Sequence, residues 1–274
     1  MNNIAMIVNG PRPFAMQTAD NAEVLLKKLG VSVLRINDPT QAGYTDKALK
    51  HGADCVIAVG GDGTILHAAK KAALYKIPIL GINAGRVGFL AGLEPNELSL
   101  LVNLINDDYS VEQRMLLSIN VDNSKQFFAL NDAVVSKGNL SRMIDITITA
   151  DNKTFECRAD GLIAATPTGS TAYSMSAGGP VIDPELKNIM ITPICPQTLF
   201  ARPIIFNSQS VIQVFANAPD NTGAYLTIDG EEDCPLNKNS TVTIKRAENL
   251  SVSLIKLNER NFLNALIKKF NLYR

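Results

Sequence analysis

The stretch that most limits the fold is CVIAV at residues 55–59, which runs directly into GGDGT at 60–64 and then into ILHAAKKAA. Five apolar residues closed by glycines read as a buried parallel strand, and Ile65, Leu66, Ala68, Ala69, Ala72 and Ala73 recur at helical spacing after it. A strand that turns at once into a helix belongs to a β-α-β unit, and the flanking chain keeps that rhythm. Ile4–Val8, Val31–Ile36 and Pro78–Ile82 are further strand candidates, while Met16, Ala19, Val24, Leu25 and Leu29 make a helical face that ends at Gly30. The alternation implies a parallel sheet covered by helices, with its ligand crevice at the carboxyl ends of the strands.

Near Asn106 the pattern changes. A helix starting around Pro95 closes at Asn106, Asp107 and Asp108, and beyond Met115 the chain turns β-branched with period two. The segments LLSINVD, QFFALNDAVV, DITITAD, SVIQVFA, YLTIDG, TVTIKRA and SVSLIKL imply an antiparallel, layered β sandwich. Helical spacing returns through Phe262, Leu263, Leu266, Ile267 and Phe270. An isolated helix this short is marginal in water, so the tail is expected to dock back on the first domain. The expected organisation is an α/β domain over 1–105, an all-β domain over 106–257 and a tail over 258–274.

Composition removes several function classes. The 26 Lys+Arg balance 26 Asp+Glu, so no excess charge recruits nucleic acid. No apolar run approaches the roughly 20 residues of a membrane span, and the first residues lack a secretory pattern, so a cytoplasmic protein without membrane partners is expected. Cys55, Cys157, Cys195 and Cys234 form no CxxC pair and read as buried or inert thiols, and only His51 and His67 are present, so no histidine-rich metal site is expected.

Three glycines in four residues, at 60, 61 and 63, exceed what a strand-to-helix turn needs. Glycine permits positive φ and close approach of a ligand, and the helix start offers N–H groups to an anion. Asp62 or Thr64 can be read as a plain N-cap. A carboxylate beside bound phosphate can instead accept a proton or hold a cation, which points to phosphoryl transfer. No GxxxxGK[ST], GxGxxG or GxSxG occurs, so the common phosphate, dinucleotide and hydrolase signatures are missing.

GGDGT at 60–64 resembles the signature of a kinase superfamily that includes NAD kinases, diacylglycerol-type lipid kinases and 6-phosphofructokinases. DGLIAATPTGSTAYSMSAGGP at 160–180 closely resembles one NAD kinase segment, GINAGRVGFL at 81–90 is similar to another, and Asn131-Asp132 stands where that family has NE or ND. The resemblance implies phosphorylation of the 2′-hydroxyl of the adenosine ribose of NAD, with ATP or polyphosphate as donor and Mg²⁺ or another divalent cation. It implies Asp62 as the base, Gly60, Gly61, Gly63 and Thr64 as the donor loop, and Gly63, Asn131 and Asp132 beside the nucleotide. Thr171, Ala172, Tyr173, Ser174, Met175 and Ser176 then wrap the dinucleotide, and Arg158 with Asp160 lines its nicotinamide end, partly from a neighbouring subunit.

Taken alone, Asn131-Asp132 is a turn signal and Arg158 with Asp160 a solvated charge pair. His67, Arg86 and Arg142 are either phosphate or nucleotide contacts or plain surface residues. The run DGEED at 229–233 reads as an acidic surface turn. The resemblance also implies a homodimer or homotetramer formed through the β domain, and it leaves the metal ligands open. Two rivals stand beside the NAD kinase reading: a lipid or sugar-phosphate kinase of the same superfamily, and a non-catalytic dinucleotide sensor.

Overall fold

A computed structural model describes the chain except residues 11, 38–43, 51, 86–87, 139–141, 199–200, 219–222, 259–261 and 272–274. It divides into two compact units, Met1–Gln113 with Leu250–Arg274, and Arg114–Asn249. His51 and Arg86 fall outside the described residues.

In the first unit the chain runs β1 (Asn3–Val8), α1 (Pro13–Lys28), β2 (Ser32–Ile36), α2 (Tyr44–Lys50), β3 (Cys55–Gly60), α3 (Asp62–Leu74) and β4 (Ile79–Asn83). A 3₁₀ turn over Pro95–Leu100 then leads into α4 (Leu101–Ile105). The strands lie in the order β2-β1-β3-β4, all parallel. β1, β3 and β4 are buried along nearly their whole length, which is why they read as unbroken apolar runs. α1 buries Ala15, Thr18, Ala19, Ala22 and Leu26, a face turned from the one expected: Val24 is exposed, and the small alanines let the helix lie close to the sheet. Gly30 follows its end with φ +81°.

The strand β5 (Ser110–Val121) carries the chain into the second unit. There follow β6 (Lys125–Ala129), β7 (Asp132–Lys137), β8 (Ile144–Ala150), β9 (Lys153–Ala159), β10 (Gly161–Ala165), the single turn α5 (Tyr173–Ser176) and β11 (Asn188–Ile194). The remaining elements are β12 (Ile204–Asn207), β13 (Ile212–Asn217), β14 (Ala224–Ile228), β15 (Glu232–Leu236), β16 (Thr241–Lys256) and α6 (Phe262–Asn271). One layer is a six-stranded antiparallel sheet, β12-β11-β10-β7-β14-β15, and the other joins β9, β8, β13 and the first half of β16. Alternate residues meet between the layers, among them Ile144, Ile146 and Ile148 from β8 and Leu162 and Ala164 from β10. The other face of β10 is buried too, because Ile163 and Ala165 pack with Val134, Ile182 and Met190. Hairpins turn at Asp122-Asn123, Asp151-Asn152 and Asp229-Gly230, each pair with positive φ at both residues.

TVTIKRA and SVSLIKL form one strand, not two. β16 continues through Asn249, which takes φ 58°, and its far end returns to the first unit, where Leu254 pairs parallel with Ile79. α6 belongs to the first unit as well, docking through Phe262 and Lys269 on Phe89. Of the expected apolar stripe, Phe262 docks and Leu266 is half-buried, while Leu263, Ile267 and Phe270 are exposed. Of the cysteines, Cys55 and Cys234 are buried, Cys157 is half-buried and Cys195 is exposed, and burial pushes the Cys55 thiol up to about 12. No helix among the described residues is long and apolar enough to cross a membrane.

Candidate active site

In the first unit the chain leaves β1 for β2 on one side and β3 on the other, so the sheet's direction of progress reverses between β1 and β3. Ligands of such sheets bind at the carboxyl ends of the strands flanking that reversal, and here those ends are Val8-Asn9 and Gly60-Gly61. Asn9 ties them together: its N–H bonds the Val59 carbonyl at 3.1 Å and its amide donates to Thr64 Oγ1 at 3.2 Å. None of Gly60, Gly61 and Gly63 takes positive φ, so the glycines serve space and not backbone strain. A Cβ on Gly61 or Gly63 would meet nothing within 4 Å, whereas one on Gly60 would fall 2.5 Å from Thr64 Oγ1. The result is an open floor of bare backbone at the start of the 13-residue helix α3, suited to an anion.

Asp62 is the first residue of α3, and Gly61, which has no side chain to cap with, precedes it as N-cap. The Asp62 carboxylate serves another segment. Oδ2 accepts the Phe89 N–H at 3.0 Å and Oδ1 accepts the Leu90 N–H at 3.3 Å. Each oxygen keeps a further lone pair for a ligand hydroxyl. His67 lies half-buried one turn into α3.

The second unit builds its own cavity. The register sets Asp132 opposite Ala165 and Ala133 opposite Ile228, so the start of β7, the end of β10 and the end of β14 reach the same level. Three loops therefore converge there: 130–131, 166–172 and 229–230. Asp229, only 9% exposed, fixes the first of them, accepting the Leu130, Asn131 and Asp132 N–H groups at 3.0, 2.8 and 3.0 Å. The turn at 229 is as expected, but its aspartate is buried, because its carboxylate is engaged by the three main-chain N–H groups at the start of β7. Asn131, Asp132, Ala172, Tyr173, Asp229 and Gly230 line a cavity of about 430 Å³.

The hydroxyls of the 166–176 run mostly build the scaffold. Thr166 Oγ1 donates to the Leu130 carbonyl and accepts the Gly169 N–H, Ser170 Oγ bridges to both main-chain groups of Ile182, and Ser174 Oγ pairs with Thr192 Oγ1 at 2.8 Å. Ser174, expected to face the dinucleotide, is thus fully buried with its hydroxyl engaged. Thr171 is nearly as buried, donating to the Thr168 carbonyl. The side chains of Tyr173 and Ser176 reach the surface and Met175 is half-buried. Gly169 is needed for closeness: a Cβ there would lie 2.1 Å from the Asn131 carbonyl. Arg158 and Asp160 do not pair with each other. Arg158 faces Asp145 at 3.6 Å across the β8–β9 ladder, and Asp160 bonds Lys137 at 2.6 Å; Arg142 is exposed.

Burial, and secondly the Asp229 charge, pushes the Asp132 carboxyl up to about 7. Its folded value lies above the roughly 3.9 of an unfolded aspartate. Native protein therefore holds the proton more tightly, and this site's contribution to stability is full below about pH 4 and lost as pH rises through about 7. Asp132→Asn keeps the shape of the protonated acid and cannot ionise. Each tenfold difference in proton affinity between the folded and unfolded chain is worth about 1.4 kcal/mol. Thermal melts of the variant should therefore match wild type near pH 4.5 and exceed it by several degrees at pH 8. Parallel curves across that range would refute the assignment.

Comparison with known proteins places both halves. The ATP-NAD kinase N-terminal domain profile matches residues 8–109, which hold Asp62, and the ATP-NAD kinase C-terminal domain profile matches 130–257, which hold the cavity. The chain belongs to the NAD kinase family. A NAD kinase of Heliobacterium modesticaldum is 34% identical over 280 residues, covering 98% of each chain, and one of Natranaerobius thermophilus is 40% identical over 235 residues, 83% of this chain and 81% of the relative. Among solved structures, an NAD kinase from Archaeoglobus fulgidus in complex with ATP superimposes with TM-score 0.78 at 27% identity, covering 97% of this chain and 98% of that one. Yeast NADH kinase complexed with NADH shares the fold, with TM-score 0.85 at 22% identity over 99% and 88% of the two chains. The residues whose roles sequence reading missed are Asp229 and Thr166, whose side chains assemble the cavity wall. The only local trace of Asp229 was an aspartate-glycine pair directly after an alternating strand, which marks the turn and says nothing of where the carboxylate points.

Proposed function

We propose that the chain transfers the terminal phosphoryl group of ATP to the 2′-hydroxyl of the adenosine ribose of NAD, giving NADP and ADP. The observation that carries this reading is Asp62. An acidic side chain sits at the mouth of an open glycine floor, with both oxygens oriented by main-chain N–H groups. In this reading the N–H groups at the start of α3 hold donor phosphates. Asp62 takes the proton from the ribose hydroxyl as that oxygen bonds to phosphorus and the bond from phosphorus to the leaving ADP oxygen breaks. The cavity beside Asn131, Asp132 and Tyr173 takes the dinucleotide: Asn131 offers both a donor and an acceptor, a protonated Asp132 donates, and the exposed Tyr173 ring gives an aromatic face. His67, Arg86, Arg142, Arg158 and Asp160 remain proposed contacts to phosphate or nucleotide, with Arg158 and Asp160 acting at the edge of a homo-oligomer built through the β domain.

No group of three or more His, Cys, Asp or Glu side chains capable of holding a metal occurs among the described residues. A divalent cation such as Mg²⁺ is therefore proposed to arrive with the donor's phosphates, for which it neutralises charge, and not to be held by a protein cage. The polar groups of Asn131, Asp132 and Tyr173 in the cavity wall favour the dinucleotide over a lipid acceptor. Incubation with NAD, ATP and Mg²⁺ should yield NADP, followed by a dehydrogenase specific for NADP, with polyphosphate and NADH as parallel arms. Absence of NADP with every donor, while NAD still binds, would leave a sensor.

A further inference from the structure

One residue joins the tail helix to Asp62. The Phe89 N–H bonds Asp62 Oδ2, and the Leu90 N–H next to it bonds Oδ1, so the whole carboxylate hangs on one two-residue segment. Gly88, just before it, passes so close that a Cβ there would lie 2.1 Å from Asp62 Oδ1. The side chain of that same Phe89 is gripped from α6: the Phe262 ring lies 5.8 Å away centroid to centroid at 43°, and Lys269 Nζ sits 4.3 Å over the ring centroid. Phe262 and Lys269 are seven residues apart, two turns of helix, and so share one face. The tilted aromatic contact and the cation over the ring face fix Phe89 in two directions.

From this geometry we infer that Phe262 and Lys269 are positioning residues for phosphoryl transfer, acting through Phe89 to hold the Asp62 carboxylate toward the acceptor hydroxyl. The inference rests on the reading of Asp62 as the base. A displacement of about 1 Å in a reacting group can cost on the order of 100-fold in rate, so a ring contact well outside the reacting atoms is enough to matter. The contact should act on kcat and leave substrate affinity alone, because neither residue touches the glycine floor.

The test uses the full chain with Phe262→Ala, Lys269→Leu, the conservative Phe262→Tyr, and Ile267→Ala on the exposed side of the same helix, each with and without Asp62→Asn. Phe262→Ala and Lys269→Leu should lower kcat by roughly 10- to 100-fold with KM for NAD and ATP within about twofold. Phe262→Tyr should restore most of it, and Ile267→Ala should match wild type. In the Asp62→Asn background neither tail substitution should lower kcat further, since residues that act through one group are not additive. Unchanged kcat, a loss confined to KM, or a full additional loss on top of Asp62→Asn overturns the inference. Should Phe262→Ala fail to fold, Lys269→Leu decides by the same criteria. If Asp62→Asn itself keeps full activity, the base assignment has failed; if it is crippled while both tail variants keep kcat, only the role of the tail has.

Discussion

Asp62→Asn is expected to bind NAD and ATP with near wild-type affinity and to lose about 10²- to 10⁴-fold in kcat, the usual worth of a positioned general base. That corresponds to roughly 3 to 5 kcal/mol on the barrier. Size hardly changes and the amide oxygen still accepts one of the Phe89 and Leu90 N–H groups, but nothing remains to take the ribose proton. The check is steady-state NADP formation alongside a direct NAD titration. Retention of more than a tenth of wild-type kcat would leave positioning and charge neutralisation as the whole of catalysis and remove Asp62 from the proton's path.

Asp229→Ala should give the largest loss of stability of any single side-chain truncation in the cavity. It strips the acceptor from three main-chain N–H groups of residues 130–132, two of them buried, and each buried donor left unpaired costs on the order of 1 to 3 kcal/mol. Water entering the adjacent cavity recovers part of this, so a net loss of about 3 to 5 kcal/mol is expected, with KM for NAD rising as Asn131 and Asp132 lose their register. Asp229→Asn keeps one acceptor oxygen and should fall between the two. The substitution also removes a negative charge beside Asp132, so the pH dependence described for Asp132 should weaken with it. A melting temperature within about two degrees of wild type, with unchanged KM for NAD, would mean that the 130–132 turn stands without its anchor.

The α/β unit was legible because β1, β3 and β4 are buried on both faces and its helices begin at punctuated turns. Unbroken runs such as CVIAV and the Ala-rich α3 carry that pattern locally. The sandwich was legible where one strand face meets the core and the other meets water, as in β8, whose burial alternates residue by residue. It was not legible in β11, where NIMITPI is buried almost throughout and shows no alternation, nor in β15, where a proline lies inside the strand. The helical tail was visible from spacing, but its docking face only in part: Phe262 docks as its place in the stripe suggested, whereas Leu263, Ile267 and Phe270 of the same stripe end up exposed.

By itself the sequence determined the two kinds of layer, the glycine floor with its aspartate, and the kinase family, since each depends on residues adjacent along the chain or set at short fixed spacing. Tertiary structure alone decided which hydroxyls build walls and which reach the surface, that Asp229 is a buried anchor, and that Phe89 links the tail helix to Asp62. Those outcomes depend on register between strands and on helix rotation, which bring together residues 27, 98 or more than 170 positions apart, such as Asp62 with Phe89, Asn131 with Asp229, and Phe89 with Phe262. No local pattern encodes such pairings, because hydrogen bonds and ring contacts act over a few ångströms whatever the length of chain between the partners.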